Sequence, residues 1–235
     1  MKPVAIVQHE DIVPPGLIHR TLEANGVDHF VVEAAKDPDW PEVSDLGGLV
    51  VLGGTMNVDQ LDDFPFLKQS RDLMTDTLEA GVPTLGVCLG SQMMARVLGA
   101  EVRRAEARNA LFSPLDLTPE GKSDPLVSPF EGVEVLQFHE DTFAMPNEAT
   151  PLATSRTSGL GQAFRYGANA YAIQFHFEVR GDEVRGWTEK IGEAEMIEGW
   201  RLPDAGHSLH DDHLYEGQAT AGKLLVERFL RLIES

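Results

Sequence analysis

The sequence predicts an α/β fold, a mostly parallel sheet with helices on both faces and an additional β-hairpin region, and three observations carry that expectation. Short apolar, β-rich runs alternate with segments of helical spacing from Pro3 to Ala100. The helical segments close on glycine, as helices do where the chain must take a left-handed turn. Beyond Ala105 the texture changes to short strand-like runs split by Pro, Gly and Asn turn signals.

Taken in order, "PVAIVQ" (Pro3 to Gln8) reads as a strand, "PGLIHRTLEANG" (Pro15 to Gly26) as a helix and "DHFVVEA" (Asp28 to Ala34) as a second strand, which makes one βαβ unit. "LGGLVVLGG" (Leu46 to Gly54) is a buried strand ending in glycines. "FPFLKQSRDLMTDTLEAG" (Phe64 to Gly81) is a helix, and "VPTLGV" (Val82 to Val87) is the next strand. Near-continuous apolar strands between helices belong to a parallel sheet buried on both sides. "ARNALFSPLDLTPEG", "VEVLQFHED" and "QAFRYGANAYAIQFHFEV" read as hairpins and a return to the sheet. "GKLLVERFLRLIES" (Gly222 to Ser235) suits a helix packing on the body.

At 235 residues the expectation is a single domain spanning 1–235. One cysteine permits no internal disulfide, and neither an export leader nor an apolar run of about eighteen residues is legible, which points to a cytoplasmic protein. The net charge of −19, with no cluster of Lys and Arg, argues against nucleic acid and anionic membranes as partners.

That single cysteine, Cys88, lies in "GVCLGSQMMARVLGA", where a strand gives way to helical spacing between Gly86 and Gly90. Glycines bracketing such a point allow the sharp strand-to-helix turn that lifts a nucleophile above a sheet edge. The helix N-terminus that follows favours thiolate over thiol. A buried core thiol would also fit this turn. A nucleophile needs a base, and "AIQFHFEV" (Ala172 to Val179) alternates so that Gln174, His176 and Glu178 share one side, opposite Ile173, Phe175, Phe177 and Val179. Glu178 can then orient the His176 imidazole while its other nitrogen faces the sulfur. In "VVLGGTMNVDQ" a buried strand ends at Gly53 and Gly54, whose amides, with that of Leu89 after the nucleophile, could stabilise an oxyanion.

Together these residues resemble class I glutamine amidotransferases of the Cys-His-Glu group, especially the stand-alone branch similar to the GMP synthase amidotransferase domain. "GVCLGSQ" resembles the family's nucleophile elbow, "QFHFEV" its His-Pro-Glu segment and "LGGTMNV" its oxyanion loop, with the elbow and the His-x-Glu roughly ninety residues apart. "LTPEGKSDPL", "FHEDTFAMP" and "QAFRYG" also fit that branch. The resemblance implies a flavodoxin-like doubly wound fold. It implies hydrolysis of the glutamine side-chain amide through a γ-glutamyl thioester on Cys88, with ammonia released, Gln92 holding the substrate, and no cofactor or metal. His139 and Asp141 match a family pair beside the site; they either shape the pocket or form a hydrogen-bonded structural pair. Phe177 and Thr55 stand where the family usually has proline. No synthetase domain is recognisable, so a separate acceptor subunit, or none, is expected.

Two other functions fit the same residues. A γ-glutamyl peptide hydrolase would share the triad and differ in the leaving group. A non-catalytic binding or regulatory protein would keep the fold alone, against which the intact Cys88, His176 and Glu178 argue. Outside the family pattern, "HSLHDDH" places His207, His210 and His213 among aspartates, a loose metal-ligand spacing that a polar surface loop or helix start explains equally.

Overall fold

A computed structural model describes residues 2–191 and 209–234. Among the described residues, nine strands form one sheet in the order β2-β1-β3-β4-β9-β8-β7-β5-β6. Its parallel half consists of β1 (Val4–Gln8), β2 (His29–Glu33), β3 (Gly48–Val51), β4 (Thr84–Val87) and β9 (Ala170–Ile173). The hairpin region continues the same sheet as the antiparallel strands β5 (Val102–Leu117), β6 (Glu134–Phe143), β7 (Thr150–Ser155) and β8 (Gly161–Tyr166).

Both faces of the parallel half are covered because successive strand residues are apolar. Val4, Ile6, Val50 and Leu85 enter one core with Ile18 and Leu22 of α1 (Gly16–Ala24) and with Leu225 and Phe229 of α6 (Asp212–Ile233). Ala5, Val7, Leu49 and Val51 enter the other, against Leu67 and Met74 of α2 (Phe66–Glu79) and Met93 and Met94 of α3 (Leu89–Val97). Side-chain alternation along a strand thus feeds two cores at once. Each fully buried residue such as Phe229 contributes roughly 1.5–3 kcal/mol.

The boundaries differ from the sequence reading in three informative places. The final helix starts ahead of Gly222, at Asp212, where the Asp211 side chain caps it by accepting from the His213 amide at 3.0 Å. Its polar first turns conceal buried Tyr215 and Gln218, and Gln218 Oε1 accepts a hydrogen bond from the Leu136 amide at 2.9 Å. A short helix, α4 (Pro119–Ser123), lies between β5 and β6, and a helix not read from the sequence, α5 (Gly181–Ile191), follows the His-x-Glu segment. The strand expected across Ala172 to Val179 ends at Ile173, and the chain runs on with a single bridge from His176 to Leu136 of β6. Side-chain parity survives as far as Phe177: Phe175 and Phe177 lie in the apolar core beside Ile173, whereas Val179, expected on the same side, packs in a separate cluster with Val184 and Trp187 because the chain has left the sheet.

Phe177, in place of the family's proline, is fully buried and packs edge-on against Phe130. Space for it comes from Gly222 of α6, where a Cβ would lie 2.7 Å from the Phe177 ring. Of the three histidines considered as ligands, His207 lies outside the described residues. His210 and His213 are exposed at the start of α6, and no group of three metal-ligating side chains occurs among the described residues. No described helix is long and apolar enough to cross a membrane.

Candidate active site

Cys88 sits between β4 and α3 with φ 52° and ψ −108°, a conformation costly for a side-chain-bearing residue. Three backbone bonds hold it: its amide donates to the Ile173 carbonyl at 2.8 Å, and its carbonyl accepts from the Ser91 and Gln92 amides. Both flanking glycines are required by close backbone approach. A Cβ on Gly86 would lie 2.4 Å from the Gly90 carbonyl oxygen, and one on Gly90 would lie 2.1 Å from that of Val51. The elbow is therefore wedged between strand and helix.

Parallel pairing of β4 with β9 brings the distant His176 to this turn. Its Nδ1 lies 2.7 Å from Glu178 Oε1, a pair almost wholly out of solvent, and the ring also feels the charge of the nearby Cys88 sulfur, whose thiol points to the Phe138 carbonyl at 3.9 Å. Burial works against a charge on the ring. The Glu178 carboxylate, and then the Cys88 sulfur, outweigh it and push the His176 pKa up to about 10. A neighbour that favours imidazolium in this way lets the ring carry the thiol proton. The backbone of Glu178 is anchored by α1, whose Leu17 amide donates to the Glu178 carbonyl at 2.7 Å. Only glycine fits before it: Gly16 has φ 47°, and a Cβ there would lie 2.2 Å from that same carbonyl oxygen.

The loop after β3 completes the turn's surroundings. A Cβ on Gly53 would lie 3.2 Å from His176 Cε1 and 3.5 Å from Cys88 Cβ, so the bare backbone of this loop faces the thiol and the imidazole together. Leu89 is the first residue of α3, where helix geometry leaves its amide without an intrahelical partner.

These groups open on a cavity of about 550 Å³ lined by Gly54, Cys88, Gln92, His139, Asp141 and His176, among others. Gln92 commits its amide nitrogen to the Asp141 carbonyl and to Gln174 Oε1, each at 3.2 Å. The two readings of His139 and Asp141 merge, because both line the cavity and are hydrogen-bonded to each other, His139 Nδ1 lying 3.0 Å from the Asp141 carbonyl. A carbonyl only accepts, so Nδ1 carries the proton, and burial holds the His139 pKa down at about 4. Asp141 Oδ2 in turn accepts from Asn57 Nδ2 at 2.7 Å, and Arg104 pairs with Glu140 beside it.

The sequence reading overlooked Trp187 of α5, which lines the cavity and stands edge-on to His176 with ring centroids 4.9 Å apart. Its Nε1 donates to the Ile12 carbonyl. The signal was present in "GDEVRGWTEKI", with acidic residues in the first turn and Val184 and Trp187 three apart. Asn57 and Arg104 were overlooked for a different reason: single polar residues acquire meaning only from what faces them.

Known proteins resemble this chain to differing extents. A glutamine amidotransferase from Thermotoga maritima superposes with a TM-score of 0.85 at 27% identity, over 100% of this chain and 99% of that one. A GMP synthase (glutamine-hydrolyzing) subunit from Natronomonas pharaonis is 29% identical over 170 residues, 72% of this chain and 84% of that protein. The GMP synthase (glutamine-hydrolyzing) of Lactococcus lactis is 34% identical over 134 residues, 57% of this chain, but the match spans only 24% of that longer protein. The model of the family described as glutamine amidotransferase class-I matches residues 16–186. Because that span takes in Gly53, Cys88, His176 and Glu178 together, and more than half of the chain, the protein belongs to the class I glutamine amidotransferase family.

Proposed function

We propose that the protein hydrolyses a γ-glutamyl amide, glutamine in the first instance, through a thioester on Cys88. The observation that supports this most is the strained Cys88 lining one cavity with a His176 whose ring is held by a buried carboxylate and whose charge the Cys88 sulfur favours. In this reading His176 takes the thiol proton, and sulfur attacks the amide carbon. The oxyanion is met by the amides of the Gly53–Gly54 loop and of Leu89. The imidazolium then protonates the departing nitrogen, ammonia leaves, and the same ring activates the water that releases glutamate. Gln92, with its amide nitrogen already committed, presents its carbonyl oxygen to the substrate.

Glu178 is expected to orient and stabilise the base rather than to bond with substrate. Glu178→Gln should preserve the melting temperature to within a few degrees and lower kcat by ~10²- to 10⁴-fold, less than removal of Cys88. Thermal melts beside steady-state kinetics check this, and unchanged turnover would remove Glu178 from the site.

The cavity favours a second version of the same chemistry. At about 550 Å³ it falls in the range that accommodates drug-sized ligands, leaving room for a γ-glutamyl peptide with a bulkier leaving group. The Natronomonas relative, named as one subunit of a GMP synthase, motivates the other version, in which a separate synthetase subunit receives the ammonia. Measuring kcat/KM for glutamine and for glutathione, with and without a candidate synthetase subunit, separates them. A peptidase turns over glutathione unaided, whereas a coupled amidotransferase shows poor glutamine turnover that rises with its partner. Fast unassisted turnover of glutamine alone would overturn both and leave a constitutive glutaminase.

A further inference from the structure

His9, directly after β1, is fully buried and outside the triad, yet it reaches the loop that faces the thiol. Its Nδ1 lies 3.3 Å from the Gly53 carbonyl oxygen and its Nε2 lies 3.1 Å from Ser70 Oγ on α2. The carbonyl can only accept, so the proton is on Nδ1, and Nε2 accepts the Ser70 hydroxyl proton. Burial holds the His9 pKa down at about 4, so the ring stays neutral in this tautomer at ordinary pH. The next residue grips the other end of the same loop, with Glu10 Oε2 accepting from the Thr55 amide at 2.7 Å. The loop Gly53 to Thr55 is thereby held at two points by two consecutive side chains.

The Gly53–Gly54 peptide bond is trans, as every described peptide bond is. In a trans peptide the carbonyl and the following amide point in opposite directions. Fixing the Gly53 carbonyl on His9 therefore turns the Gly54 amide to the opposite side, and Gly54 lines the cavity with Cys88. Among the described residues that amide donates no hydrogen bond. The geometry points to His9 and Glu10 as positioning residues that hold the Gly53 to Thr55 loop in the shape of an oxyanion hole, an inference that rests on the thioester chemistry proposed above. Ser70 ties the device to α2, so the chain's own side chains assemble the hole.

The test exploits a difference between two reactions of one thiolate. Acyl transfer from a γ-glutamyl compound places negative charge on the carbonyl oxygen, whereas alkylation by iodoacetamide forms a carbon–sulfur bond as iodide leaves and creates no oxyanion. Full-length wild type, His9→Leu, His9→Gln and Glu10→Ala would be compared by kcat and KM on glutamine and glutathione, and by the rate of Cys88 alkylation. His9→Leu is expected to lower kcat by ~10²-fold, the scale of losing one oxyanion donor, with KM and the alkylation rate changed less than about threefold. His9→Gln, which keeps a donor at similar reach, should recover about tenfold of that loss. Glu10→Ala, which removes the exposed hold on the Thr55 amide, should lower kcat by about tenfold with alkylation unchanged. Equal losses in kcat and alkylation would mean a general disturbance of the site and would overturn the proposal, as would full kcat in Glu10→Ala and His9→Leu. If His9→Leu does not fold, the Glu10→Ala and His9→Gln results decide. A wild type that is alkylated at Cys88 yet hydrolyses neither substrate, with or without a candidate synthetase subunit, would overturn the thioester reading itself and this inference with it.

Discussion

Cys88→Ala is expected to lower γ-glutamyl hydrolysis by ~10⁵-fold or more while leaving the fold in place. The side chain is small, and the strained φ of 52° is maintained by backbone bonds to Ile173, Ser91 and Gln92 that alanine also makes. What disappears is the sulfur whose charge favours the His176 imidazolium. Thiolate, imidazolium and carboxylate act as one unit, so adding His176→Ala to Cys88→Ala should cost almost nothing further, although His176→Ala alone should cost nearly as much as either. Wild type should take up one equivalent of a glutamine-derived electrophile at Cys88, and His176→Ala should take it up more slowly because nothing holds the thiol proton. Steady-state kinetics, mass spectrometry of the labelled protein and a thermal melt check these outcomes together. Full hydrolysis by Cys88→Ser would overturn the mechanism.

Gly90→Ala is expected to have the largest effect on stability of any single methyl group added to the elbow. The new Cβ would lie 2.1 Å from the Val51 carbonyl oxygen and 2.8 Å from its carbon. Val51 cannot withdraw, because β3 is paired with β1 on one side and β4 on the other. The helix must lift from the sheet instead, and α3 carries Cys88 and Leu89 with it. A loss of ~3 kcal/mol or more follows, which for a chain of this size lowers Tm by roughly 6–12 °C, with activity falling in step. Gly217→Ala is the control: it lies on the exposed side of α6 with nothing within 4 Å of the added atom, so it should leave Tm unchanged or raise it slightly. Differential scanning calorimetry of the two variants distinguishes the wedge from a general intolerance of alanine.

The legible part of the site was the part written in local geometry. Gly86 and Gly90 around Cys88 announce a sharp turn because two backbone approaches forbid side chains there, and both approaches are present. The alternation from Ile173 to Val179 announced that His176 and Glu178 share a side, and it held to Phe177 even though regular pairing stops at Ile173, failing only at Val179, which packs elsewhere. The early start of α6 was hidden because Asp212 to Gly217 is polar apart from Leu214 and Tyr215, and the buried Gln218 satisfies a backbone amide of β6 instead of completing an apolar stripe. Likewise Phe177 looked like a departure from the family pattern until Gly222, on another element, proved to make its space.

By itself, then, the sequence determined the alternation of strands and helices in the parallel half, the elbow that carries Cys88, and the shared side of His176 and Glu178. Each of these follows from steric rules acting within a few residues, which leave a period or a glycine behind. Tertiary structure alone decided that β9 lies beside β4, so that the imidazole meets the thiol, and that Trp187 stands against His176. It also decided that Ser70, His9 and Gly53, drawn from three separate segments, join in one hydrogen-bonded line. Such contacts form when the chain crosses over the sheet and closes long loops, and a residue serving a distant partner need leave no periodic mark in its own neighbourhood.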